Sequence, residues 1–390
     1  MNDWPATMVL PDGTTVTITT VRDDAGLAPA LEALHSRSAV ALDTEFVRER
    51  TLYPLLGLIQ ICQDERVILI DALAIHDWQP LKRLMQGADG PLFICHASGE
   101  DLEALQSRLG IVPARLLDTQ VAAGFAGITP PPGYGRLVEN LLGLTLAKEH
   151  ARTDWLARPL SAAQLGYAVA DVVYLERLWP QLVDTLTSSG LYDACVAECQ
   201  RLVDERTSAT DDRLRYRSIG NAWHLKPKQL AVLRELVAWR QQLARAEDKP
   251  VGHILKEEPL LLLARDNWAS KSALERLEWL PRPVMRRWGD SLWSAIERGQ
   301  QCPQAEWPAP LERLMDVAGY KAAVNWCRQR AEDAAKALGL AAELVASKRL
   351  IHELLEDLDE PSERLPVLLS GWRGPFFAPR LDELRRLWRH

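Results

Sequence analysis

Two carboxylates one residue apart, Asp43 and Glu45, end the apolar run Ala39-Val-Ala-Leu and are followed by Phe46. In a strand the two-residue period puts both on one face, so burying that face forces like charges together. A divalent cation with a preference for hard oxygen ligands is the simplest neutraliser. An Asp-x-Glu pair is short and also occurs where a strand end merely emerges into water, so its meaning depends on partners elsewhere. Asp101, in His96-Ala-Ser-Gly-Glu-Asp101, falls in the first turn of a predicted helix, where the helix dipole also favours a carboxylate for capping alone. Asp171 sits in Tyr167-Ala-Val-Ala-Asp171-Val-Val-Tyr174, a helical segment with almost no polar face to expose it. An aspartate inside an apolar helix costs both propensity and burial energy, which points to function. Tyr167, four residues before it, shares its helix face.

Asp43, Glu45, Asp101 and Asp171 offer enough hard oxygens for two Mg²⁺ or Mn²⁺ ions about 3.5–4 Å apart, the arrangement used in phosphoryl transfer. One ion would activate a water and the other would stabilise the departing oxygen. Tyr167 would orient the attacking water, since a phenol with a pKa near ~10 is a poor general base.

These residues need elements to hold them. β-branched alternation over 14–21, the run 39–46, and the apolar stretches 56–62, 66–71, 91–96 and 114–118 read as strands, the middle three of 39–71 forming an antiparallel meander. Helices are predicted over 27–36, 77–86 and 98–109, and from Thr119 onward, broken by a loop at Thr129-Pro-Pro-Pro-Gly-Tyr-Gly135. That order makes an α/β sheet covered by helices. The polar stretch 201–222 reads as a linker, and 223–302 and 303–390 as two small all-helical bundles. The division is 1–205 for the α/β domain, 212–302 and 303–390 for the bundles.

The 390 residues carry a formal charge of −7, unevenly spread: 14 basic against 25 acidic residues in 1–200, 17 against 12 in 211–302, and 13 against 14 in 303–390. An acidic, metal-binding half followed by a basic module suits a polyanionic substrate. Six cysteines without a Cys-x-x-Cys pair read as reduced, mostly buried thiols. No apolar run approaches the ~20 residues of a membrane span and the first residues carry no basic signal, so a cytoplasmic protein without membrane contact is expected.

Asp43-x-Glu45, His96-Ala-x-x-x-Asp101 and Tyr167-x-x-x-Asp171 resemble the three motifs of the DEDD exonuclease superfamily, tyrosine-containing subgroup. Leu117-Asp-Thr-Gln120, Arg152-Thr-Asp-Trp155-Leu-Ala-Arg-Pro-Leu160 and Tyr167 to Leu175 are similar to signatures of the ribonuclease D family. Lys226-Pro-Lys-Gln-Leu-Ala-Val-Leu-Arg-Glu-Leu resembles that family's HRDC module, and Leu344-Val-Ala-Ser-Lys-Arg-Leu-Ile a more divergent copy. The resemblance implies a ribonuclease-H-like fold with a mixed five-stranded sheet, followed by two HRDC-type bundles. It also implies two-metal 3′→5′ hydrolysis of RNA to nucleoside 5′-monophosphates, with trimming of transfer-RNA precursors as the task and no obligate protein partner. The first metal would be held by Asp43, Glu45 and Asp171, the second by Asp43 with Asp101. Thr44 and Phe46 would touch the substrate, Phe46 as a stacking surface. Arg152, Lys226 and Lys228, with Arg282, Arg286, Arg287, Trp223 and Trp288, are candidate RNA contacts. A DNA exonuclease of the same chemistry and a non-catalytic nucleic-acid-binding protein are the alternatives.

Overall fold

A computed structural model describes residues 4–32, 34, 39–87, 89–146, 153–208 and 211–389. The first elements are β1 (Thr7–Val9), β2 (Thr15–Val21), α1 (Asp24–Glu32), β3 (Ala39–Val47), β4 (Leu55–Gln63), β5 (Arg66–Asp71), α2 (Gln79–Gln86), β6 (Leu92–Cys95), α3 (Gly99–Leu109) and β7 (Leu116–Asp118). They are followed by α4 (Thr119–Phe125), α5 (Tyr134–Leu142), α6 (Ala162–Ser188) and α7 (Tyr192–Thr207). The strands form one mixed sheet in the order β1-β2-β5-β4-β3-β6-β7. It has seven strands where the family resemblance implies five. The central five, β5 to β7 in that order, are extended by β2, parallel to β5, and by β1, antiparallel to β2. β1 escapes a sequence reading because it is three residues long and neither end residue is buried, which leaves no alternation to detect.

β3 lies between β4 and β6, and this position buries Val40, Ala41 and Leu42. Its parallel pairing with β6 stops at Ala41, while its pairing with β4 continues to Val47. The acidic half of β3 is therefore bonded on one side only, and a cleft opens beside it. Register slips between Glu45 and Phe46: Glu45 faces Leu58 and Phe46 faces Leu56, leaving Gly57 over. A bulge re-aims the side chains that flank it. Gly57 must be glycine, because a Cβ there would run into the Trp155 carbonyl oxygen. The 155–158 segment packs on that bare backbone and is fastened by Arg158, which donates to Asp71 and to the Gly57 carbonyl.

Helical pattern after Thr119 is less continuous than its composition suggests. Gly143, at φ 69°, ends α5, and 153–161 is irregular until Ser161 and Gln164 form a reciprocal cap that starts α6. Tyr134, read as part of a loop, is the first residue of α5. The stretch read as a linker is also partly ordered: α7 continues to Thr207 and a 3₁₀ helix spans Asp212–Ser218. Its polar residues occupy exposed helix faces, while Val203 and Tyr216 are buried. All six cysteines are free, and all but Cys302 are buried.

Beyond α7 the chain is helical: α8 (Pro227–Ala246), α9 (Val251–Ile254), α10 (Glu257–Arg265), α11 (Lys271–Leu274), α12 (Arg282–Gln301), α13 (Tyr320–Leu338), α14 (Ala342–Val345), α15 (Lys348–Asp359), α16 (Gly374–Phe377) and α17 (Leu381–Leu387). Two compact units result. One comprises the chain to Val47, Pro54–Thr207 and everything from Lys321; the other comprises Arg48–Tyr53 and Ser208–Tyr320. The second has its own core, in which Leu233, Leu236 and Trp239 of α8 meet Leu292 and Ile296 of α12. In the first, the C-terminal helices pack on α4 and α7, with Trp372 edge-on to Phe125 at 5.3 Å. No helix is long and apolar enough to cross a membrane among the described residues.

Candidate active site

Asp43 and Glu45 on β3 and Asp171 on α6 each offer an oxygen, and these lie within 4.8 Å of one another. Glu45 and Asp171 are buried; Asp43 is half-buried. They line a cleft of about 220 Å³ with Thr44, Phe46, Asp101, Tyr134, Tyr167 and others. Asp101 stands apart from the three and is held by Thr44, whose hydroxyl donates to Asp101 Oδ1 at 2.5 Å. Tyr167, one helical turn before Asp171, lines the cleft beside that carboxylate.

The charges of this cluster work against one another. Burial, then repulsion from Asp43, Asp171 and Asp101, pushes the Glu45 carboxyl up to about 10. Burial with Asp101 and Asp171 nearby raises Asp43 well above the usual carboxylate range. Burial raises Asp171 to about 7 against the opposing effect of the Tyr167 hydroxyl, and Asp101 to about 6 against the hydrogen bond from Thr44. Tyr167 is itself raised, by burial first and then by Asp171 and Glu45. No described lysine or arginine forms an ion pair with any of the four carboxylates. Hard oxygens that are buried, crowded and lack a cationic side chain fit divalent cations.

A supporting layer holds these groups. Asp118, at the end of β7, caps α4 through Gln120 N–H at 2.9 Å and also accepts from Ala97 N–H at 3.0 Å and Ser98 N–H at 2.8 Å. It therefore fixes the turn that launches α3 and Asp101. Its own N–H donates to Cys199 Sγ at 3.3 Å. His96 lines the cleft and is tied by Nδ1 to the Thr119 hydroxyl at 3.0 Å. Tyr134 is the residue that sequence reading missed: its hydroxyl donates to the Asp171 carbonyl and its ring lies 5.4 Å from that of His96. The nearest signal was its place beside three prolines, which reads as a loop and hides the helix start. Arg152 lies outside the described residues. Lys226 and Lys228 are exposed at the start of α8, in the second unit.

Residues 18–187 match the sequence profile of the 3′–5′ exonuclease family, 229–296 that of the HRDC domain, and 318–381 that of the ribonuclease D C-terminal HRDC domain. Ribonuclease D of Escherichia coli strain K12 is 40% identical over 367 residues, covering 93% of this chain and 97% of that protein. The chain belongs to the ribonuclease D family. Ribonuclease D of Musicola paradisiaca is likewise 40% identical, over 93% of this chain and 96% of its own length. The crystal structure of Escherichia coli RNase D, described as an exoribonuclease involved in structured RNA processing, superimposes with a TM-score of 0.90 at 38% identity. It covers 96% of this chain and 100% of that one. As a member of this family the protein is a 3′–5′ exoribonuclease, and the DNA-exonuclease and silent-binder readings are disfavoured. Its exonuclease domain is of the kind that works with divalent metal, and the acidic cluster is a candidate place to hold it.

Proposed function

We propose that this exoribonuclease uses two Mg²⁺ or Mn²⁺ ions to shorten structured RNAs, transfer-RNA precursors among them, from the 3′ end in the cytoplasm, without an obligate protein partner. The observation that carries the proposal is the convergence of Asp43, Glu45 and Asp171 within 4.8 Å beside Tyr167. Asp43, Glu45 and Asp171 would hold one ion, and Asp43 with Asp101 the other. When bound, the ions supply Lewis acidity to the attacking water and neutralise charge on the phosphorus centre and the departing oxygen.

The remaining work falls to the chain itself. Tyr167 orients the water through its hydroxyl and stays protonated, because burial beside Asp171 and Glu45 holds its proton on. Thr44 keeps Asp101 turned toward the cleft, and Tyr134 braces the main chain at Asp171. Phe46, half-buried on the cleft wall, gives the terminal base an apolar surface. Arg152, Lys226 and Lys228 would add phosphate contacts that position RNA without reading its sequence. In this reading 1–205 carries the chemistry, while 212–302 and 303–390 are HRDC-type modules.

The test incubates RNA labelled at its 3′ end, the matching DNA and a 3′-phosphorylated RNA with protein and Mg²⁺ or Mn²⁺. Stepwise release of nucleoside 5′-monophosphates from RNA, loss of activity in EDTA and slower turnover of the blocked end are expected. Internal cuts, or activity unchanged by chelation, overturn the mechanism.

A further inference from the structure

The described residues that line the cleft include three aspartates and two glutamates but no lysine or arginine. The two cations would neutralise the carboxylates themselves, but the strand beyond the scissile phosphate still gains from a positive group near the cleft. The last turn of α7 carries one beside Gly99, the chain neighbour of cleft-lining Glu100. Arg206 is exposed, yet its guanidinium lies on the backbone of Gly99, where a Cβ would come 2.6 Å from Nη2 and 3.1 Å from Cζ. Gly99 begins α3, between Ser98, which Asp118 fixes, and Glu100 and Asp101, which line the cleft. The absence of a side chain at 99 is what lets the guanidinium sit there. Neighbouring arginines are engaged: Arg201 with Glu198 and Glu205, and Arg349 with Glu205. Arg206 makes no hydrogen bond or ion pair among the described residues. A guanidinium is permanently charged and its planar fork matches a phosphate.

We infer that Arg206 is a substrate-positioning residue: it binds a backbone phosphate of the RNA on the leaving-group side of the scissile bond, at the edge of the cleft over Gly99. The inference rests on the exoribonuclease reading of the same site. The contact holds the strand while its last nucleotide is cut.

The experiment compares two substrates with wild type, Arg206→Gln and Arg206→Lys in Mg²⁺. One is a short single-stranded RNA. The other is a nucleoside 5′-(p-nitrophenyl phosphate), which has a scissile phosphate but none on the leaving-group side. If wild type hydrolyses neither, the exoribonuclease reading itself fails. If it hydrolyses both, Arg206→Gln should lower the RNA-to-ester ratio of kcat/KM about 10-fold through KM, as loss of one charge-assisted contact does. The dependence of RNA affinity on salt should fall by about 0.7 in log–log slope, one phosphate's share on a single strand. Arg206→Lys should restore part of the ratio, and Gly99→Val, which displaces the guanidinium, should reproduce the loss. An unchanged ratio, or an equal fall on both substrates, overturns the inference.

Discussion

Glu198 on α7 and Glu45 on β3 are buried to similar depth in the same unit, 5% and 8% exposed, and their carboxyls are driven in opposite directions. Burial alone would raise Glu198, but Arg373, donating from Nη1 at 2.5 Å, and Arg201, donating from Nη2 at 2.7 Å, hold it below the usual range. Arg373 spends its other donors on the Val345 and Leu344 carbonyls, so the ion pair clasps the C-terminal helices to α7. Glu45 has no such partner and is pushed up to about 10 by burial and by Asp43, Asp171 and Asp101. A carboxylate that folds with its own guanidinium needs nothing further and serves the architecture. One buried among other carboxylates is incomplete until a cation arrives from solution.

That contrast can be broken in three ways. The largest effect is expected from Asp171→Asn, which removes one oxygen charge from the cluster: turnover on saturating RNA should fall about 1,000-fold or more, ~4 kcal/mol in the barrier, with RNA affinity nearly unchanged. Equal rates in mutant and wild type would show that the cluster is not the catalytic one. Next comes Arg373→Ala, which leaves Glu198 buried with less neutralisation and should cost about 3–5 kcal/mol in denaturant unfolding. Excess Mg²⁺ should not restore it, and a cost below about 1 kcal/mol would refute the distinction between the two centres.

The smallest effect concerns pH. Glu45 and Asp171 have folded values of about 10 and about 7, above their ordinary 4.5 and 3.8. Raised carboxyls favour the folded state when protonated, so this stabilisation is complete below the ordinary values and is lost as pH climbs through about 7 and then about 10. Metal-free protein should therefore become less stable across that range, and Glu45→Gln should flatten the loss. Thermal melts in EDTA and in Mn²⁺ check this: the gain from Mn²⁺ should be greater near about pH 8.5 than near about pH 6. A gain that shrinks with rising pH would mean the cations bind elsewhere.

How far the sequence could be read follows from the range of each signal. The β3 and α6 periods are local, so the sequence itself puts Asp43 and Glu45 on one strand face, and Tyr167 with Asp171 on one helix face. A carboxylate at a strand end, such as Asp118, can cap the next helix or support a site, and local pattern does not choose; here one carboxylate does both, because its oxygens reach Gln120 on one side and Ala97 and Ser98 on the other. Tyr134 was hidden because a proline-rich run looks like loop whatever its last residue does. The polar stretch after Cys199 misled for the opposite reason: exposed helix faces and linkers share a composition.

Residue types and short-range periodicity thus determined which side chains can carry the chemistry and what kind of element bears each. Tertiary structure alone decided which of them meet. A period fixes the face of a strand or helix but not what lies opposite, and Asp171 reaches β3 across more than a hundred residues of chain. The same holds for Arg373 and Glu198, 175 residues apart, and for Arg206 on Gly99, where the deciding feature is a missing side chain on the partner. Such contacts depend on how the elements pack, and no local pattern in the sequence encodes that distance.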